Sequence, residues 1–206
     1  MYDLSIFKQF SVGGKQFNTQ LTLSGGGLQG IEEPIPIAWA GVLTVRTDNN
    51  TGTLTMDSAS HIITTGAIID LFWSVGGVDG VQRKITVGTV AGTSVPIDLG
   101  IGDNLPAATS AVQACIVQKF TPDFIVGDNC KALLAAADGT KALICLYSTG
   151  DTVEELVITL PLNGSYDWIT GGGTNPIAGK TIDKIHISIA DTVNVDNVRF
   201  SALITP

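Results

Sequence analysis

Charge is scarce in this chain. Only 15% of its 206 residues are Asp, Glu, Lys or Arg, against roughly 25% in ordinary soluble domains. Histidine occurs twice, at His61 and His186, and cysteine three times, at Cys115, Cys130 and Cys145. No C-x-x-C pair, nucleotide-binding glycine loop, G-x-S-x-G elbow or basic run is read in it. Each gap removes a class of function. Zinc needs close cysteine pairs or histidine partners. Nucleic acid needs clustered cations, but the net charge is −8 and the cations are scattered, as at Lys8, Lys15, Arg46, Lys119 and Arg199. No apolar run approaches the ~20 residues that span a bilayer. Residues Met1 to Ser5 lack the basic-then-apolar pattern of an export signal. Three buried, reduced thiols and synthesis in a cytoplasm are therefore expected, with no membrane, metal or cofactor.

What the chain has is hydrophobic residue, 44% of the total, and turn chemistry. Threonine, serine and asparagine must supply much of the polar surface. That suits a protein lying against neighbours, and equally a compact sandwich with a threonine-rich exterior. Strand signals recur about every ten residues, the spacing of sandwiches and barrels. Gly41 to Met56 alternates Leu43, Val45, Leu54 and Met56 with threonines around Asp48-Asn49-Asn50-Thr51-Gly52, a hairpin by pattern and by turn. Ala67 to Trp73 is almost continuously apolar, so both faces are expected to be covered, Trp73 in the core and Asp70 hydrogen-bonded. Val81 to Val90 is a further strand, and Pro96 to Pro106 is a loop in which Asp98, Asp103 and Asn104 can form Asx turns.

Ala107 to Thr121 lacks Gly and Pro, yet Val112, Ala114, Ile116 and Phe120 share one parity, so it reads as strand with an irregular start rather than helix. Lys131 to Tyr147 reads as a hairpin around Asp138-Gly139, a short helix being the alternative. Val153 to Leu160 is a strand ended by Pro161. Ile185, Ile187 and Ile189 point one way and Lys184, His186 and Ser188 the other, which puts His186 on a solvent face. The partner strand changes phase between Val195 and Val198, as a bulge near Asp196-Asn197 would produce. The fold class is all-β, a mostly antiparallel, jelly-roll-like β-sandwich. It reads as one domain, 1–206, the alternative being a subdivision into 1–100 and 105–206 at the Pro96 to Pro106 break.

Side chains that could carry chemistry read more simply as framework. His61 and His186 are far apart in sequence, and a solvated histidine is the commoner case. Glu32-Glu33 and Glu154-Glu155 are adjacent on the chain, so neither pair converges on one substrate. Asp191, Asn194 and Asp196 offer oxygens at a calcium-like spacing but lack the glycine and closing glutamate of an EF-hand. Among the aromatics Trp39, Trp73, Trp168 and Tyr166, the pair Tyr166 and Trp168 beside Gly171-Gly172-Gly173 is the candidate sugar platform, with packing under a loop as the plainer reading. No catalytic, cofactor-binding or metal residue is assigned.

Three passages resemble the β-rich decoration or cement proteins of tailed bacteriophage capsids. They are Ala132 to Leu160 around Asp138-Gly139-Thr140-Lys141-Ala142-Leu143, Gly41 to Trp73 ending in Ile69-Asp70-Leu71-Phe72-Trp73, and Thr170 to Phe200 with Asn175-Pro176-Ile177-Ala178-Gly179. The resemblance implies a non-enzymatic virion protein, assembled in the host bacterial cytoplasm. It would contact the major capsid protein or other virion subunits, and its own copies as a homo-oligomer, a trimer first of all. The arm Met1 to Gln9 or the Gly25 to Pro36 loop would reach those neighbours. The alternative is a carbohydrate-binding module of a phage fibre or tail, and the third reading is a β-rich hydrolase.

Overall fold

The structure, a computed structural model, describes residues 6–12, 37–100, 104–121, 125–169, 172–192 and 198–204. These residues are all β apart from a 3₁₀ turn at Gly127–Asn129. In chain order the strands are β1 (Ile6–Val12), β2 (Trp39–Arg46), β3 (Thr51–Met56), β4 (Ile68–Val75), β5 (Val78–Val87), β6 (Ser94–Asp98), β7 (Ala111–Ile116) and β8 (Gln118–Phe120). Then come β9 (Ile125–Val126), β10 (Cys130–Ala137), β11 (Ala142–Ser148), β12 (Val153–Leu160), β13 (Ser165–Ile169), β14 (Thr181–Ile182), β15 (Lys184–Ile189) and β16 (Val198–Ile204). The chain divides into two compact units. One contains Pro36–Val117 with Ser188–Val193. The other contains Met1–Ile35, Gln118–Ile187 and Asn194–Pro206.

The first unit is a closed barrel in the order β2-β3-β6-β5-β4-β7, antiparallel throughout. Alternation builds it: Leu43, Leu54, Ile69, Leu71, Ile85 and Val95 point inward and are buried together. Each such side chain contributes about 1.5–3 kcal/mol by leaving water, and closure leaves no open sheet edge around the ring. The β2–β3 hairpin forms as its sequence predicts. Asp48 Oδ1 accepts the N–H groups of Asn50 and Thr51, each at 2.7 Å, which holds its carboxyl below the ordinary value. The loop expected from Pro96 begins later, because Pro96 sits within β6 opposite Thr53 while Val95 and Ile97 fill the core. The expected Asx turn at Asp98 is present, with Gly100 N–H donating to Oδ1 at 2.8 Å.

Asp70 has the partners its burial demands. Between Ile69↔Ile85 and Leu71↔Gln82, β5 carries one residue more than β4. Lys84 takes the left-handed conformation there, at φ 56°. Its N–H donates to Asp70 Oδ1 at 2.9 Å, and Ser188 Oγ lies 2.5 Å from the other carboxylate oxygen.

The second unit holds two four-stranded sheets, β1-β16-β10-β13 and β12-β11-β15-β8, and a small β14-β9 pair. Two expected hairpins are corrected here. β10 and β11 flank Asp138-Gly139 but lie in different sheets, β10 between β16 and β13, and β11 between β12 and β15. The Asp-Gly turn thus carries the chain from sheet to sheet. Its local chemistry suits a corner as well as a hairpin, and β11, buried at every position, needs cover on both faces. Likewise β15 and β16 belong to different sheets. His186 is not on a solvent face: it is 5% exposed, and Ser188 is also buried. Ile185 to Ile189 are buried without alternation, so both faces of β15 are covered and the polar stripe is misleading. Residues 6–9 of the proposed N-terminal arm belong to β1, paired along its length with β16. The rest of that arm, the Gly25 to Pro36 loop and the Asp196-Asn197 bulge lie outside the described residues.

Candidate functional site

A group of ionisable side chains gathers where β8, β15 and the β11–β12 turn meet. Lys119 and His186 are cross-strand neighbours. Asp151 reaches both: its Oδ2 is 2.8 Å from Lys119 Nζ and 3.5 Å from His186 Nε2. The Lys119 ammonium holds the Asp151 carboxyl below its ordinary value, with lesser help from His186. The imidazole also meets the Tyr147 ring, centroids 4.3 Å apart and tilted 41°. Tyr147 OH donates to Glu154 Oε2 at 3.0 Å.

The turn that delivers Asp151 is strained. Thr149, Gly150 and Asp151 have φ of 58°, 66° and 67°, and the two non-glycine residues each cost of order 1–3 kcal/mol there. Thr152 Oγ1 donates to Thr149 O at 2.6 Å, and Gly150 N–H donates to Asp183 Oδ2 at 2.8 Å. Glu154 and Glu155 do not converge, as their adjacency implies. A register shift between Leu146 and Tyr147 leaves Glu155 as the extra residue of β12. Ser148 Oγ donates to Glu155 Oε1 at 2.5 Å, and Lys180 Nζ is 3.0 Å from Oε2. The serine hydroxyl and then the lysine hold the Glu155 carboxyl down.

A histidine beside an aspartate is two-thirds of a hydrolytic triad. Here the aspartate is shared with an ammonium and the imidazole lies against a phenol ring. The cluster's bonds run from strand to strand and from strand to turn.

The remaining candidates are dispersed. His61 belongs to the barrel unit, where its Nε2 lies 2.9 Å from Gly92 O and its ring meets Trp39 edge-on at 6.5 Å. Trp168 is 9% exposed, so it is no platform. Leu133 stands opposite it on β10, and Tyr166 beside it is half-buried. Burial pushes the Tyr166 phenol up. Asp191 accepts the Ala38 N–H through its backbone at 2.8 Å. Asn194, Asp196, Glu32 and Glu33 lie outside the described residues. Cys115, Cys130 and Cys145 are buried and form no disulfide. Among the described residues no helix is long and apolar enough to cross a membrane.

One feature escaped the sequence reading although Val75-Gly76-Gly77-Val78 announces it. β4 and β5 stay paired to their tip, Val75 opposite Val78, around glycines at φ 61° and 79°. Such a two-residue turn needs left-handed conformations that glycine adopts without cost. Val75 is 48% and Val78 71% exposed. Just inside them Trp73 faces Gly80, and its indole lies so close over that glycine that a Cβ would collide with the ring.

No family profile, curated protein or solved structure matches this chain.

Proposed function

We propose that this chain is a non-enzymatic structural protein of a tailed-bacteriophage virion, a decoration or cement protein that stabilises the particle by protein–protein contact. The observation that carries the reading is the use made of the polar side chains. Asp70, Asp151, Glu154 and Glu155 each bind another part of the same chain, and so brace strands and turns. That is the chemistry of a stiff body, and a stiff body suits a mechanical task. The low charge fraction and the resemblance in Ala132 to Leu160, Gly41 to Trp73 and Thr170 to Phe200 support the same reading.

On this proposal the two four-stranded sheets pack as a jelly-roll-like sandwich, and the partners are the major capsid protein or other virion subunits. Copies of the chain associate, a trimer being the first expectation. Neither nucleic acid nor membrane is a partner, and assembly takes place in the host cytoplasm. Many modest contacts repeated over a lattice raise the effective affinity without any single strong site. Quantitative mass spectrometry of purified particles tests this. A fixed ratio of this chain to capsid protein, kept through washing, is expected; its absence from washed particles would refute the proposal.

A further inference from the structure

We infer that Asn163 is a modification site, where the side-chain amide is lost spontaneously through a succinimide ring closed by the Gly164 peptide nitrogen. The reaction sets a time limit on the contact that Asn163 makes. The inference is independent of the virion reading and follows from what one turn demands of these two positions.

β12 and β13 lie in different sheets, and Pro161 to Gly164 carries the chain between them. The turn closes with Gly164 N–H donating to Pro161 O at 2.8 Å. Its third residue has φ 58°, a left-handed conformation that asparagine accepts more readily than most side chains. That residue must also present an acceptor, since Asn163 Oδ1 takes the Gly139 N–H at 2.7 Å. The next position has no room for a side chain: a Cβ on Gly164 would stand 2.5 Å from Pro161 Cδ and 2.8 Å from its Cγ and carbonyl oxygen. Turn geometry and packing therefore set a glycine directly after an asparagine. No other asparagine in the chain precedes a glycine.

That pairing has a chemical consequence. The side chain of the following residue ordinarily shields an asparagine amide from the next peptide nitrogen, and Gly164 has none. Hydroxide takes the Gly164 amide proton, and the nitrogen bonds to Asn163 Cγ. The Cγ–Nδ2 bond breaks, and Nδ2 takes a proton from water and leaves as ammonia. Negative charge develops on Oδ1 in the intermediate, where the Gly139 N–H already donates. Asn163 is exposed, so solvent reaches it. One bond opposes the reaction: Gly164 N–H must leave Pro161 O, so the turn opens locally before the ring closes. Water then opens the ring on either side. Breaking the bond between Gly164 N and Cγ leaves aspartate, which keeps an acceptor for Gly139. Breaking the bond between Gly164 N and the main-chain carbonyl carbon of residue 163 leaves isoaspartate. Its main chain is one carbon longer, which displaces the acceptor and spoils the turn.

The test ages the purified full chain in mildly alkaline, ammonia-free buffer made with heavy-oxygen water, one sample folded and one in guanidinium. Peptide mapping by mass spectrometry follows every asparagine. Asn163 is expected to convert first in both samples, about ten-fold more slowly when folded because a hydrogen bond must open. Aspartate and isoaspartate should both form, each with solvent oxygen incorporated, at a rate that rises with hydroxide. The folded isoaspartate fraction should melt below Asn163→Asp, toward Asn163→Gly, while Asn163→Asp melts near wild type. Asn163 still intact in the folded sample long after the guanidinium sample has converted would overturn the inference. Earlier conversion of Asn49 or Asn50 would do the same. Aspartate without isoaspartate would mark direct hydrolysis and overturn the ring-closing route. An isoaspartate fraction that melts with wild type would overturn the time limit on the contact.

Discussion

Asp70 and Ser188 lie 118 residues apart in the chain and 2.5 Å apart in space, Ser188 Oγ against Asp70 Oδ2. The other carboxylate oxygen accepts the N–H of Lys84, the residue that bulges β5. One buried side chain, 4% exposed, therefore fixes the register of a barrel hairpin and joins it to the end of β15. Asp70→Ala leaves a buried hydroxyl and a backbone N–H without that acceptor, and should lower stability by about 2–4 kcal/mol. Ser188→Ala should cost about 1–2 kcal/mol, and the double variant less than the sum, as expected for partners in one network. Urea unfolding of the four proteins measures this; strict additivity would show that the two side chains act independently.

Gly80 is a packing surface for Trp73. Gly80→Ala should push the indole off the ribbon, at a cost of about 1–3 kcal/mol for overpacking. Tryptophan emission should shift to the red. Trp73→Phe in the Gly80→Ala background should recover part of the loss, and an unchanged spectrum and Tm would contradict this packing.

Asn163 takes φ 58° in the turn after β12, and its Oδ1 accepts the Gly139 N–H at 2.7 Å, so it clamps the two turns that pass between the sheets. Asn163→Gly keeps the backbone but loses the acceptor and should cost about 1 kcal/mol. Asn163→Ala loses the acceptor and adds left-handed strain, roughly 1 kcal/mol more. Equal losses in denaturation curves would place the clamp's effect outside the backbone.

The buried thiols make a pH prediction. Burial pushes Cys115 up to about 12 and Cys130 up to about 11, from an ordinary 9.0. A raised folded value means the contribution is complete below the unfolded value. Above pH 9 the unfolded chain gains by ionising while the folded chain does not, so stability falls from there toward pH 12. At pH 8 native protein should react with a thiol reagent far more slowly than protein in guanidinium, in which all three cysteines titrate. Fast native labelling would contradict the burial.

Acid should act in the opposite sense. Asp48, Asp151 and Glu155 are held below ordinary values of 3.8, 3.8 and 4.5, by backbone N–H groups, Lys119 and Ser148 respectively. Their contribution is present above those ordinary values and lost as pH falls through the folded ones. The urea midpoint should therefore decline from about pH 4.5 downward, more gently in Asp151→Asn. Salt should reduce the Asp151 share, because Lys119 and Asp151 are partly solvated.

Much of the framework was legible because it is local. Leu43, Val45, Leu54 and Met56 alternate around a turn whose Asp48 supplies its own hydrogen bonds, and a hairpin follows from those residues alone. The need for a partner at Asp70 was readable from one acid in an apolar strand; its identity, Ser188, was not, since no local pattern links positions 118 apart. Sheet membership failed for the same reason. Asp138-Gly139 specifies a sharp turn, whereas which sheet β11 joins depends on β12 and β15, both later in the chain. His186 was misplaced because alternation with isoleucines describes a half-covered strand, and β15 is covered on both faces. The Lys119–Asp151 pair arises only when β8 and the β11–β12 turn are brought together, and neither residue stands out by itself.

Electron cryomicroscopy of the particle reaches furthest into the account, because it asks where this chain resides. Density for a six-stranded barrel at repeated surface positions is the predicted result. Particles complete and stable without any such density would contradict it.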